Sequence, residues 1–381
     1  MPDRLGELVQ ATLAGPVFGP GVAFGAIEPD HLERVLERGR AIQAGLSERV
    51  DRTLAQAFPQ RTADERQYTI REVSPKATGF VPLLTNLELP PDFLGYETST
   101  AESVFYMYVD DQEIDRGNEA MVLATEDAYG PDKPSIPSEL AEQARHGGRL
   151  LTAMAETIRG FARPEDYGSV LGCFKLVLRG EARQHRLSTQ YDVLTSETAK
   201  ADFLACYAGS LAMITVEDAG FQSVTAALYA LYRRLQPDLP SVRELHDHSA
   251  ITRLIRLCNT AARVADERGD WKMDAGYDPS KGVFTLNPFN QYHPDYVQNF
   301  CRLADIRDPA IIDKLQEAFR LFHEDRIGHG AFITDTFFGH VRNEVLRAQE
   351  RLPQYRAYLR LFPRVLEISH VNMLGDILLA G

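Results

Sequence analysis

Cysteine and tryptophan are scarce in this sequence, with four cysteines and one tryptophan among 381 residues. The cysteines are widely spaced in apolar stretches and form no Cys-x-x-Cys pair, which is the spacing typical of a zinc site. They are Cys173, Cys206, Cys258 and Cys301. We therefore expect reduced packing residues of a cytoplasmic protein, and neither a disulfide scaffold nor a cysteine zinc site.

Long apolar runs are also missing. No run reaches the roughly 18 residues that a membrane-spanning helix needs. The N-terminal segment carries Asp3 and Glu7 where a signal peptide has a basic and then an apolar stretch. The sequence therefore predicts no membrane span and a cytoplasmic location.

Positive charge is in deficit, with 41 basic against 54 acidic residues and a formal net charge of −13. Nucleic-acid binding needs a basic surface, so we expect no nucleic acid as a partner. A small anionic substrate stays compatible, because a bound divalent cation reverses the local charge. No Gly/Ser-rich or Pro-rich linker divides the chain, which favours a single domain over residues 1–381.

Helical periodicity is the dominant pattern that is present, and strand signals are weak. It predicts helices over His31–Phe58, Ser138–Ile158 and Lys200–Val216, with Ser138 as a cap, and a further helix that opens at Pro164. The predicted fold is all-α, a single helical bundle around a central apolar cavity.

An aromatic stretch that ends in carboxylates is the most informative segment. Residues three and four apart share a helical face, so Val104, Tyr108, Asp111 and Asp115 form a stripe that passes from apolar to anionic. Together with Asp110, this stripe offers the oxygen ligands that Mg²⁺ prefers when it also holds a diphosphate. The alternative is an acidic helix end exposed to solvent.

A second stripe lies in the segment 251–271. Ile251, Ile255, Asn259, Arg263 and Glu267 follow one another in steps of four, again from apolar to polar. We therefore expect Asn259 and Glu267 to point into one cavity.

These two segments resemble the two metal-binding motifs of the class I terpene synthases, over about Pro90–Trp271. Asp110, Asp111 and Asp115 match a DDxxxD variant of the first motif. Asn259 and Glu267 match the second, in which Arg263 stands where the family has a hydroxyl ligand. An arginine offers no lone pair to a cation, so Arg263 would instead contact the diphosphate.

The resemblance implies a lyase that ionises and cyclises a prenyl diphosphate, with a farnesyl, geranylgeranyl or bicyclic chain. It implies Mg²⁺ as the cofactor, held by the carboxylates and amide of Asp110, Asp111, Asp115, Asn259 and Glu267. It also implies basic side chains on the diphosphate, for which the sequence offers Arg263, Arg268 and Lys272, with Arg179, Arg183 and Arg186 as further candidates. A chain-elongating prenyltransferase would need a second aspartate-rich motif, and a helical scaffold that has lost catalysis stays open.

The resemblance also implies a cavity that shields a carbocation, since aromatic faces attract cations where water is excluded. The expected lining residues are Phe105, Tyr108, Phe203 and Tyr207, together with Gly209 at a helix break. Ordinary core packing, with a close helix contact at Gly209, is the alternative.

The C-terminal part, residues 272–381, is less recognisable. A segment rich in Gly, Pro, Asn and Tyr at 276–294 suggests either a lid over the site or an oligomer contact, which leaves a homodimer open. Histidines and carboxylates gather further on, at His323, Glu324, Asp325, His329, Asp335 and His340. They support an alternative function, a helical non-haem iron oxygenase or a dinuclear metal protein.

Overall fold

A computed structural model describes residues 29–79, 89–129, 135–218, 220–272, 285–324 and 326–366. The described residues form helices and no strand, which confirms the all-α prediction. The first half contains α1 (Pro29–Ala57), α2 (Ala63–Gly79), α3 (Leu94–Asp115), α4 (Glu119–Tyr129), α5 (Ala141–Phe161) and α6 (Pro164–Asp192). The second half contains α7 (Glu197–Glu217), α8 (Gly220–Tyr232), α9 (Val242–Asp247), α10 (Ser249–Lys272), α11 (Pro294–Leu303), α12 (Pro309–His323), α13 (Ile327–Arg351) and α14 (Arg356–Leu359), with short 3₁₀ turns at Pro91–Phe93 and Pro353–Tyr355.

The chain divides into two compact units. The first comprises residues 1–114, 118–178 and 223–244, and the second comprises 115–117, 179–222 and 245–381. Three helices, α3, α6 and α8, continue from one set of residues into the other. The prediction of a single domain stays a prediction.

In the first unit, α1 packs against α2 and α5, and α4 packs against α5. The apolar stripe of α1 is fully buried at Ile42, Leu46, Val50 and Leu54, and these residues follow one another in steps of four. Burying one such side chain contributes about 1.5–3 kcal/mol, so this stripe fixes the position of the helix.

In the second unit, α7 packs against α11 and α10, and α13 packs against α10 and α12. Aromatic rings fill much of this core. The rings of Phe289 and Phe319 stack with their centroids 4.0 Å apart, and Tyr296 meets Phe300 edge-on. The α10 helix, which carries the second predicted motif, is thereby held between α7 and α13.

The helix from Pro164 begins as predicted, whereas two other sequence expectations need correction. The helix expected from Ser138 begins at Ala141, and the Ser138 hydroxyl bonds to Glu139 without capping the helix. The break expected at Gly209 is absent, because α7 runs unbroken from Glu197 to Glu217. Gly209 is exposed, and a methyl group there would meet nothing within 4 Å, so no close helix contact requires this glycine either.

Apolar character is highest over Glu197–Tyr232, where an 18-residue window has a mean hydropathy of 1.2 and is 39% buried. By length and composition alone this stretch is long and apolar enough to cross a membrane, although the sequence analysis identified no such run. This is weak evidence for a span, since the core helix of a soluble protein meets the same criterion.

Candidate functional site

The C-terminal end of α3 carries the three predicted aspartates, but their surroundings differ. Asp110 is completely buried, and the Thr125 hydroxyl donates to both of its carboxylate oxygens at 3.2 Å. Burial raises the pKa of Asp110 to about 8, with the Thr125 hydrogen bond opposing the shift and the neighbouring Glu113 adding to it. Asp110 therefore packs as a largely protonated core residue near neutral pH.

Asp111 and Asp115 lie one helical turn apart on α3 and are half-buried. The buried carboxylate of Glu181, on α6, lies beside them, and one oxygen from each of the three residues lies within 4.8 Å of the others. Among the described residues, this is the one group of three or more His, Cys, Asp or Glu side chains with such spacing. The structure thus brings together Asp111 and Asp115, and it adds a ligand that the sequence analysis missed.

Glu181 is also bound to Arg263 of α10. The Arg263 Nη1 donates to Glu181 Oε1 at 2.9 Å, and its Nε donates to Glu267 Oε1 at 2.8 Å. Asp266 and the amide oxygen of Gln184 accept further hydrogen bonds from the same guanidinium. Arg263, with a side chain only 11% exposed, is therefore a cation enclosed by three carboxylates.

Charge balance around Glu181 is close. Burial raises the pKa of Glu181 to about 7. The Arg263 guanidinium opposes this shift, while the carboxylates of Asp115 and Asp266 add to it. Arg263 therefore favours the ionised form of Glu181, which is the form that can bind a cation.

Asn259 and Glu267 do not share a cavity in the way the sequence suggests. The buried Asn259 donates from Nδ2 to the Val216 carbonyl at 2.9 Å and accepts from the Gln222 backbone at 3.2 Å. Glu267 is bound to Arg263 as described. Both amide atoms of Asn259 thus have protein partners next to the point where α7 ends, so Asn259 fixes that chain segment.

The three predicted diphosphate-binding cations have different surroundings. Arg263 is enclosed, and Arg268 donates to Thr334 at 2.7 Å and to Asp335 at 2.6 Å from a largely buried position. Lys272 ends α10, and its side chain lies outside the described residues. Arg263 and Arg268 would have to leave these partners to contact a diphosphate, so their predicted role stays a prediction.

Of the further candidate cations, Arg179 and Arg183 face Asp218, which follows the last residue of α7. Their guanidinium groups lie 3.4 Å and 3.9 Å from the Asp218 carboxylate oxygens. Burial raises the pKa of Asp218 to about 6, and the two arginines oppose that shift. The interruption of helical structure lies here, between α7 and α8, about ten residues after Gly209.

The predicted cavity residues occupy ordinary helical positions. Phe105 is fully buried and Tyr108 is half-buried on α3. On α7, Phe203 and Tyr207 are half-buried, and their ring centroids lie 4.5 Å apart. These positions are compatible with core packing as well as with cavity lining, so the assignment stays a prediction.

The described part of the predicted lid is held by hydrogen bonds. Leu286 and Asn287 are completely buried. The Leu286 N–H donates to Ser188 Oγ at 2.8 Å, and Asn287 Nδ2 donates to the Glu267 carbonyl at 2.7 Å. The segment after 285 is therefore a fixed wall beside Glu267, while 276–284 lies outside the described residues.

The C-terminal histidines and carboxylates do not converge where they are described. His323 contacts the Asn290 carbonyl at 2.8 Å, Asp335 is paired with Arg268, and Glu324 is paired with Arg320. The described residues of this set form no three-ligand group, and Asp325 lies outside the described residues. No observation in the structure favours the iron alternative.

Comparisons with known proteins add no family or fold assignment. No protein-family model, curated protein or solved structure matches this chain. The resemblance to class I terpene synthases therefore depends on the two sequence motifs alone.

Proposed function

We propose that this chain is a Mg²⁺-dependent class I terpene synthase that ionises and cyclises a prenyl diphosphate. The observation that supports the proposal is the group formed by Asp111, Asp115 and Glu181 at the end of the aspartate-bearing helix. A carboxylate group on an aromatic helix is the first feature that such an enzyme needs. The proposal covers the activity, the cofactor and the substrate class together.

The three carboxylates fit Mg²⁺ in chemistry and in spacing. Mg²⁺ binds oxygen at about 2.0–2.1 Å in octahedral geometry, so ligand oxygens around one ion lie about 3–4 Å apart. The oxygens of Asp111, Asp115 and Glu181 all lie within 4.8 Å of one another, which small side-chain adjustments bring into that range. Half-burial of both aspartates leaves a side open for a substrate phosphate.

The residues of the second motif do not fit a cation in their present arrangement. Both amide atoms of Asn259 have backbone partners, and Arg263 occupies the carboxylate of Glu267. A positive guanidinium beside Glu267 also repels a second cation. We therefore place metal binding at Asp111, Asp115 and Glu181 and assign no metal to Asn259 and Glu267.

The side chains of this chain have defined roles in the proposed reaction. Bound Mg²⁺ would supply the electron withdrawal that makes diphosphate a leaving group. Asp111, Asp115 and Glu181 would hold it in place, and Arg263 would keep Glu181 ionised and aligned. The paired rings of Phe203 and Tyr207 would offer faces that stabilise an allylic cation.

A product assay tests this proposal. The purified chain is incubated with farnesyl, geranylgeranyl or a bicyclic diterpenyl diphosphate, and released diphosphate and hydrocarbon products are measured by gas chromatography. Activity should require Mg²⁺ and disappear with EDTA. Asp115→Asn should reduce turnover by about 100-fold or more, because it removes a ligand charge, whereas Asp313→Asn, an exposed site on α12, should leave turnover unchanged.

Failure would be clear from the same experiment. Equal turnover in the Asp115→Asn and Asp313→Asn variants would contradict the metal assignment. Near-stoichiometric iron in the purified protein, with no diphosphate released from any substrate, would favour the oxygenase alternative.

A further inference from the structure

A second concave site lies wholly within the second unit, apart from the three carboxylates. It is a cleft of about 1020 Å³ bounded by the first half of α10, the turn between α11 and α12, and the last half of α13. Ligand pockets typically have volumes of about 300–1,000 Å³, so this cleft has room for a small organic molecule. None of the proposed metal-binding residues lines it.

The cleft is positively charged in an acidic protein. Five arginines line it, Arg253, Arg256, Arg302, Arg307 and Arg351, against three carboxylates, Asp305, Asp308 and Glu344. The whole chain, in contrast, carries a net charge of −13. This local reversal of sign favours an anionic ligand.

The arginines differ in how fully they are neutralised. Asp305 accepts from Arg253 at 3.0 Å and from Arg307 at 2.5 Å, so one carboxylate serves two guanidinium groups. Arg256 pairs with Glu217, which lies outside the cleft, and its buried Nε has no hydrogen-bond partner.

Two cations have no carboxylate partner among the described residues. Arg302 bonds only to the neutral amide of Asn299, at 3.3 Å, and Arg351 makes no hydrogen bond or ion pair there. Planar guanidinium groups bind phosphate and carboxylate oxygens in pairs, so these two side chains supply a recognition element for an oxyanion.

The floor of the cleft is apolar. Leu254, Leu257 and Ile306 line it and are each less than one-tenth exposed, and Ala304 and Ala348 complete the surface. A ligand that occupied the cleft would cover these side chains with an apolar body while its charged end met the arginines.

We propose that this cleft binds an amphipathic anion, a linear apolar chain that ends in a phosphate or carboxylate group. Arg302 and Arg351 bind the oxyanion, and Leu254, Leu257 and Ile306 contact the chain. Binding needs no divalent cation, so it is independent of the proposed catalytic site.

Isothermal titration calorimetry on the full chain in EDTA, below the micelle concentration of each ligand, tests this inference. Dodecyl phosphate and dodecanoate distinguish the two head groups, and dodecanol and inorganic phosphate test the chain and the charge separately. We expect saturable one-to-one binding of at least one dodecyl anion, about tenfold or more tighter than dodecanol, because only the anions make charge-assisted hydrogen bonds.

Paired variants locate the binding site. The exposed change Arg302→Gln together with Arg351→Gln should raise the Kd of the anion at least about tenfold. Arg320→Gln removes an exposed arginine that pairs with Glu324 on α12, outside the cleft, and should leave the Kd within about twofold. Equal Kd values for the double variant and the wild type, equal binding of dodecanol and the anions, or no anion binding would overturn the proposal.

Discussion

Asp110 and Asp111 are neighbours in the chain with opposite environments. Successive residues on a helix point about 100° apart, so one carboxyl faces the core and the other faces Asp115 and Glu181. Asp110 is fully buried on Thr125, while Asp111 is half-buried. Two adjacent aspartates therefore need not be ligands of the same kind.

Replacing each of these aspartates by asparagine separates their roles. Asp110→Asn should leave the affinity for Mn²⁺, used as a paramagnetic probe for the Mg²⁺ site, within about twofold, because the buried carboxyl is already largely neutral. Asp111→Asn should weaken Mn²⁺ binding by about tenfold or more, because it removes a ligand charge. Electron paramagnetic resonance of free Mn²⁺ measures both affinities, and a larger loss in Asp110→Asn than in Asp111→Asn would contradict the assignment.

The same variant has a pH signature. The folded pKa of Asp110, about 8, lies above the ordinary value of 3.8, so the folded state binds more protons than the unfolded state between these values. The contribution of Asp110 to stability is therefore fully present below about pH 4 and is lost as pH rises to about 8. Urea unfolding should show Asp110→Asn gaining stability on the wild type over this range, by about 1–3 kcal/mol at pH 8.

Sequence patterns identified some site residues and missed others for a physical reason. The stripe of α3 put Asp111 and Asp115 on one face, since residues four apart on a helix are neighbours. Glu181 belongs to another helix, and its approach to Asp115 depends on how α6 packs, which local periodicity does not specify. Its signal in the sequence was weak, a Glu181, Gln184 and Ser188 stripe in an otherwise apolar helix.

At the scale of elements, helix positions were predicted well and helix faces less well. The observed α1, α7 and α10 match the predicted segments within a few residues, because apolar periodicity is a local property. Each step of four residues, however, rotates by about 40° on a helix of 3.6 residues per turn. Asn259 and Glu267 are therefore about 80° apart, and Asn259 faces the end of α7 while Glu267 faces Arg263.

The junction after α7 depends on a glycine of α6. A methyl group at Gly180 would overlap the Asp218 side chain, whereas one at Gly172, on the same helix, would meet nothing within 4 Å. Gly180→Ala should therefore lower the free energy of unfolding by about 1–3 kcal/mol through overpacking. Gly172→Ala is the matched control and should raise it by about 0.5–1 kcal/mol, because alanine is the better helix former.

Chemical unfolding of the two glycine variants measures this difference. Equal stabilities for Gly180→Ala and Gly172→Ala would show that Asp218 moves freely, and the contact between α6 and the end of α7 would then have no structural weight.

At the scale of the whole molecule, the helical class was predictable and the site was only partly so. Weak strand signals and long helical periods gave the all-α class, which the described residues confirm. The sequence also gave no sign of the arginine-lined cleft, because its walls come from three separate segments between Ser249 and Leu352.

The central claim is that Asp111, Asp115 and Glu181 hold one divalent cation. Crystals of the chain soaked in Mn²⁺ and measured at a wavelength where manganese scatters anomalously test it most directly. The account predicts an anomalous difference peak between these three carboxylates that is absent from Glu181→Gln crystals soaked in the same way. No peak there in a well-ordered wild-type crystal, or a peak among His323, His329 and His340 instead, would contradict it.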